Sequence, residues 1–117
     1  MDVATQNHLH MLRDALLYRL GALRADVHAA QLAHGQGRGT PEALDNKDLA
    51  ERQQFFELIE AQERRDLEEL EATQAALERL DAGNYGDCAD CGEPIGLPRL
   101  QLMPASLRCA ACQQHRE

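Results

Sequence analysis

The residues best equipped to do chemistry in this 117-residue chain are its four cysteines, Cys88, Cys91, Cys109 and Cys112. They form two CxxC pairs separated by 17 residues. Zn²⁺ prefers four thiolates in a tetrahedron, and a two-residue gap lets one tight turn supply two sulfurs. The spacing between the pairs lies in the range for two such turns closing on one ion. Redox dithiols or a disulfide pair are the competing readings, and the paired spacing favours zinc. Four protein ligands leave no position for water or substrate, so the ion is structural. Gly92, next to the first pair, suits a knuckle whose backbone amides fold back toward the sulfurs. His115 is the nearby alternative ligand and reads as a solvated tail residue.

A second set of candidates is acidic. Asp45 and Asp48, with Leu49 and Ala50 beside them, stand where a long helix begins. One reading is helix capping with a favourable dipole interaction. The other is a rod that delivers two carboxylates into a partner's interior, against a basic side chain or near a bound metal ion. Periodicity does not choose between them. The five histidines are scattered, and His8 and His10 have no recognisable partner. No nucleophilic triad, phosphate loop or open metal site is visible, so an enzyme is not expected.

Two long helices position these groups. From about Gln6 to His34, Leu9, Leu12, Leu16, Leu20, Leu23, Val27 and Ala30 recur at spacings of 3 and 4, one stripe on one helical face. Gly21 falls inside it, at a cost of roughly 1 kcal/mol relative to Ala. Three glycines and Pro41 between Gly35 and Pro41 end the helix. The next helix starts either at Thr40-Pro41 or at Asp45, and the segment at about 35–48 is a turn. It runs to about Asp81 on a seam of Leu49, Phe56, Ile59, Leu70, Leu77 and Leu80. Glu63 and Asp66 occupy seam positions midway, where Leu67 could take over if the register shifts. Each helix is on the order of 45 Å long. The expected fold is mainly α: a long antiparallel two-helix coiled-coil hairpin over 1–82, then a small C-terminal four-cysteine zinc ribbon over 83–117 with a short tail.

Composition agrees and excludes alternatives. With 3% aromatic residues and no Trp, a large globular core is out of reach, whereas helices packed along a seam are not. The net charge of −8 argues against a nucleic-acid surface and for a basic partner surface or channel. No signal sequence or membrane span is visible, and paired cysteines suit a reducing compartment, so the cytoplasm is expected.

Gly86-x-Cys88-x2-Cys91-Gly92, then Ile95-Gly96, Arg99-Leu100, Pro104 and Cys109-x2-Cys112, resembles the zinc ribbon of the DksA/TraR family. Asp45-x2-Asp48-x-Ala50 resembles the family's hairpin-tip motif DxxDxA. The likeness covers roughly Leu44 to Cys112. It implies a bacterial transcription factor that binds RNA polymerase directly and needs no specific DNA contact. The hairpin would enter the secondary channel and alter the stability of promoter complexes. Asp45, Asp48 and Ala50 would be the tip determinants, and Arg65 would meet the polymerase rim. On the residues alone, Arg65 could equally pair with neighbouring glutamates on a solvated face.

The chain also departs from the longer members. They carry an additional N-terminal segment and a C-terminal helix where this sequence has Gln113–Glu117. They hold the alarmone ppGpp partly with basic side chains, and the matching positions here are Ala72, Met103 and Gln113. A tetraphosphate needs charge-assisted contacts, so weak or no ppGpp dependence is expected. The alternatives are a channel-binding protein without regulatory output that competes with a paralogue, or a structural zinc-ribbon interaction protein. A monomer is expected.

Overall fold

The structure is a computed structural model that describes residues 2–34 and 45–117. Among the described residues five helices follow one another: α1 (Val3–Asn7), α2 (Leu9–His34), α3 (Asn46–Ala82), α4 (Leu97–Leu102) and α5 (Ala110–Arg116). The body is elongated, 63 × 29 × 19 Å. Helices α2 and α3 pack against each other as the hairpin. At 1.5 Å per residue their 26 and 37 residues span about 39 and about 55 Å, so they are less equal than expected.

The predicted stripe on the first helix is the face that packs. Leu12, Leu16, Leu20 and Leu23 are buried, and Leu9, Val27 and Ala30 are partly so. Its beginning differs from the prediction. The chain is already helical from Val3, where the Asp2 carboxylate accepts the Thr5 amide at 2.7 Å and caps α1. It then breaks at His8, whose Nδ1 meets the Ala4 carbonyl at 2.8 Å. His8 therefore has a local backbone partner that the sequence pattern did not reveal.

On α3 the seam is deepest where no large apolar residue stands. Thr73 and Ala76 are fully buried, whereas Leu49 and Phe56 are 42% and 38% exposed. Small residues let the two helices approach, and Thr73 satisfies its hydroxyl on the Glu69 carbonyl one turn back, at 2.7 Å. Glu63 and Asp66 do face α2. Together with Val27, Ala30, Gln31 and Leu67 they line a small void of about 60 Å³. Leu67, 44% exposed, does not replace them. The hairpin is thus packed tightly near its base and loosely toward its tip.

Gly83 terminates α3. It adopts φ 84°, a left-handed conformation that side chains disfavour, and its amide reaches Leu80 O while that of Asn84 reaches Arg79 O. The Arg79 guanidinium donates to the carbonyls of Asn84 and Asp87, fastening the helix end to the first knuckle. Beyond it, the expected ribbon is reduced to one antiparallel bridge, Asp87 to Pro94, among the described residues. Pro94, Pro98 and Pro104 cannot donate to a ladder, and the segment folds into α4 instead. The expected tail is corrected too. Residues 110–116 form α5, because the i, i+3 spacing of Cys109 and Cys112 matches one helical turn and Arg116 pairs with Asp90 at 3.3 Å.

One core joins the two parts. Leu12 and Leu16 of α2 and Ala76 of α3 pack with Tyr85, Cys88, Ile95 and Leu100. Tyr85 is fully buried and donates its hydroxyl to the Pro104 carbonyl at 2.8 Å, and burial pushes its pKa up to about 12.

Candidate metal centre and hairpin tip

The four sulfurs of Cys88, Cys91, Cys109 and Cys112 lie within 4.8 Å of one another, with Cys91 and Cys109 at 3.9 Å. A tetrahedron with Zn–S bonds of about 2.3 Å has edges of about 3.8 Å, so the cluster is the size that one ion would draw together. Cys88 is buried, Cys109 and Cys112 half-buried, and Cys91 exposed. The first knuckle is held by Gly92 N–H on Cys88 O at 3.0 Å and Cys88 N–H on Glu93 O at 2.8 Å. Gly92 takes φ 79°, the reason a glycine follows the pair. Ala89 N–H on Leu107 O at 2.8 Å ties this knuckle to the strand of chain leading into the second. Asp90 completes the closure by accepting Arg108 at 3.0 Å and Arg116 at 3.3 Å.

The backbone favours the thiolate at one of the four sulfurs. The Cys109 amide, aided by those of Cys91 and Asp90, pulls the Cys88 thiol down to about 6. Hydrogen bonds with Cys109, then with Cys88 and Cys91, push Cys112 up to about 12, since neighbouring thiols share protons. Bound zinc requires thiolates and displaces these protons. The residues fit one structural Zn²⁺, with no open coordination position. His115, exposed on α5, is not part of the cluster.

At the other end of the hairpin, Asp45 caps α3. It has extended backbone (φ −78°, ψ 175°), and its carboxylate accepts the Asp48 amide at 2.8 Å. Of the two candidate helix starts, this is the one the structure uses, and Thr40-Pro41 lies outside the described residues. Asp48 sits in the first turn, and Asp45, Asp48 and Ala50 are all exposed. Capping accounts for one oxygen of Asp45. Among the described residues no donor reaches the Asp48 carboxylate. Arg65 lies 17 residues beyond Asp48 on α3, about 26 Å along the axis, exposed and with no carboxylate partner among the described residues.

Sequence reasoning missed a third feature, a cleft of about 650 Å³ between the hairpin base and the zinc module. Ala72, Met103 and Gln113 all line it. Three positions far apart in sequence thus share one wall. Only their alignment with basic residues of longer relatives hinted at this.

With the geometry in place, similarity to known proteins can be set beside it. Residues 83–117 match the prokaryotic dksA/traR C4-type zinc finger. Transcription factor DksA2 from Pseudomonas aeruginosa superposes with a TM-score of 0.72 at 33% identity, over 98% of this chain and 84% of that one. The chain belongs to the DksA/TraR family. The DnaK suppressor protein from Agrobacterium tumefaciens C58 shares the fold, with a TM-score of 0.59 at 24% identity over 92% of each chain. No curated protein sequence matches. The family's solved members extend the correspondence beyond the zinc finger to the hairpin, and the DksA2 protein is a transcription factor. Among the described residues no helix is long and apolar enough to cross a membrane.

Proposed function

We propose that this protein is a cytoplasmic bacterial transcription regulator that binds RNA polymerase directly and acts as a monomer. Its hairpin enters the secondary channel and modulates the stability of promoter complexes, without specific DNA contact and with weak or no dependence on ppGpp. The observation that carries this reading is the placement of exposed Asp45, Asp48 and Ala50 at the far end of a 63 Å body from the cysteine cluster. A narrow acidic rod can reach into a channel that a globular domain cannot enter. The zinc-held base anchors the rod and sets its direction. Asp48, which caps nothing with its own carboxylate, is available for a basic group or a metal-bound centre in the partner. Arg65, exposed on α3, is the cation we assign to an acidic group on the channel rim. Ala72, Met103 and Gln113 themselves offer no cation to a tetraphosphate, and the ppGpp-independent form of the reading rests on these three positions, although Arg19, Arg99 and Arg108 line the same cleft.

The test is in vitro transcription with purified polymerase and the Asp48→Ala variant. Loss of the transcriptional effect with polymerase binding retained is the expected result. An unchanged effect removes the tip from the mechanism, and absence of binding by the unmodified protein removes the polymerase. Adding ppGpp to the same assay is expected to change the effect little.

A further inference from the structure

Helix α3 carries a second stripe beside the one that packs on α2. Asp48, Glu51, Phe55, Leu58, Gln62 and Arg65 follow at spacings of 3, 4, 3, 4 and 3, and all six are exposed. Such alternation is the repeat that keeps one line of residues against a helix coiling around it. At 1.5 Å per residue the stripe is about 26 Å long. Its middle is apolar: Phe55 and Leu58 are 61% and 68% exposed, more than Leu49 and Phe56 of the inner seam. Phe56 is engaged by the Arg52 guanidinium, 5.5 Å over its ring. Phe55 leans on Phe56 with ring centroids 6.4 Å apart, which supports its ring while most of it stays in water. The ends of the stripe are oppositely charged, acidic at Asp48 and Glu51 and cationic at Arg65. This order is self-complementary. Reversed end for end about a point between Phe55 and Leu58, the stripe sets Arg65 against Asp48, Gln62 against Glu51 and Leu58 against Phe55. No like charges face each other along it. A two-fold axis uses such a match, because it brings one patch onto itself with the ends exchanged.

We propose that this face binds a second copy of the chain, the two α3 helices running antiparallel about a two-fold axis between Phe55 and Leu58. Phe55 of each copy packs on Leu58 of the other, and Asp48 of each pairs with Arg65 of the other. The charge pattern selects this occupant. A uniformly acidic or basic surface is repelled by one end of the stripe, whereas the same stripe in reverse satisfies both. So short a contact belongs with the small, transient interfaces below about 1,200 Å². The dimer therefore depends on concentration, and its exposed ion pairs set the register more than the affinity. The pairing itself does not rest on polymerase binding. Its consequence does: a dimer covers Asp48 and Arg65, and so is a reserve form of the monomer that enters the channel.

The test is sedimentation equilibrium of the zinc-loaded full chain without polymerase, from about 1 μM to about 1 mM. A monomer–dimer equilibrium is expected. Phe55→Ala removes the same ring from both sides of the axis and is expected to weaken dimerisation at least about tenfold. Asp48→Arg and Arg65→Asp each set like charges opposite one another twice, and each is expected to weaken it at least about tenfold. Combining the two reversals in one chain restores opposite charges and is expected to return the dissociation constant to within about threefold of the original. Zinc content and circular dichroism establish that each variant is folded. A monomer at every concentration would overturn the proposal and leave the face to a different protein. A dimer indifferent to Phe55→Ala would overturn this face as the interface. A dimer indifferent to either reversal, or not rescued by their combination, would overturn the antiparallel register.

Discussion

Removing zinc is expected to unfold more than the zinc module, because the module and the hairpin base share a core. The perturbation is chelation at neutral pH with a reductant present. Without the ion, residues 83–117 keep two short helices, one bridge, a few side-chain hydrogen bonds and their packing on the hairpin base, and binding free energy in such modules is largely folding free energy. Tyr85, Ile95 and Leu100 then withdraw from Leu12, Leu16 and Ala76. Burial of Leu12, Leu16, Ile95 and Leu100 contributes roughly 6–12 kcal/mol at about 1.5–3 kcal/mol each. That is comparable to the total stability of a small domain, ~5–15 kcal/mol. The base of the hairpin is therefore expected to fray along with the module. The six residues of α4 and seven of α5, against 5, 26 and 37 in α1, α2 and α3, make about one sixth of the helical signal. Adding α1, Leu9–Leu16 and Thr73–Ala82 raises the expected loss to about four ninths. Circular dichroism reads the total, and amide exchange locates it. Unchanged protection at Leu12–Leu16 and Thr73–Ala76 after zinc removal, with a loss near one sixth, would refute the shared-core reasoning.

Three other outcomes are expected. Gly21→Ala should stabilise by about 1 kcal/mol in thermal or urea unfolding, since nothing lies within 4 Å of the added Cβ and the helical backbone is already suited to it. Arg19 and Glu69, both nearly half exposed, should couple by less than about 1 kcal/mol in a double-mutant cycle. The hydrogen bond from Arg19 lowers the Glu69 pKa below its ordinary 4.5, so its contribution is present above that pH and lost as the pH falls through the lowered value, which stability measured from pH 6 downward checks. Tyr85→Phe should cost about 1–3 kcal/mol by stranding the Pro104 carbonyl, and the Tyr85 phenolate absorbance should emerge only near pH 12.

The cysteines and the stripe from Leu9 to Ala30 could be read directly from sequence, and the Asp45 cap as one of two candidate starts, because each depends on residues a few positions apart. A CxxC turn, a helical face and an N-cap are local devices, and their spacing carries their geometry. The depth of the seam at Thr73 and Ala76 was not legible. Small and polar residues look like surface until the opposing helix is placed, and only then does close approach explain them. The cleft and the shared core were hidden for the same reason. Ala72 lies 31 residues from Met103, and Leu16 lies 69 residues from Tyr85, so no periodicity connects either pair. Composition and spacing thus determined a zinc-bound base and an acidic tip. Packing between distant segments decided that the base is one body with the hairpin, and that a cleft lies between them.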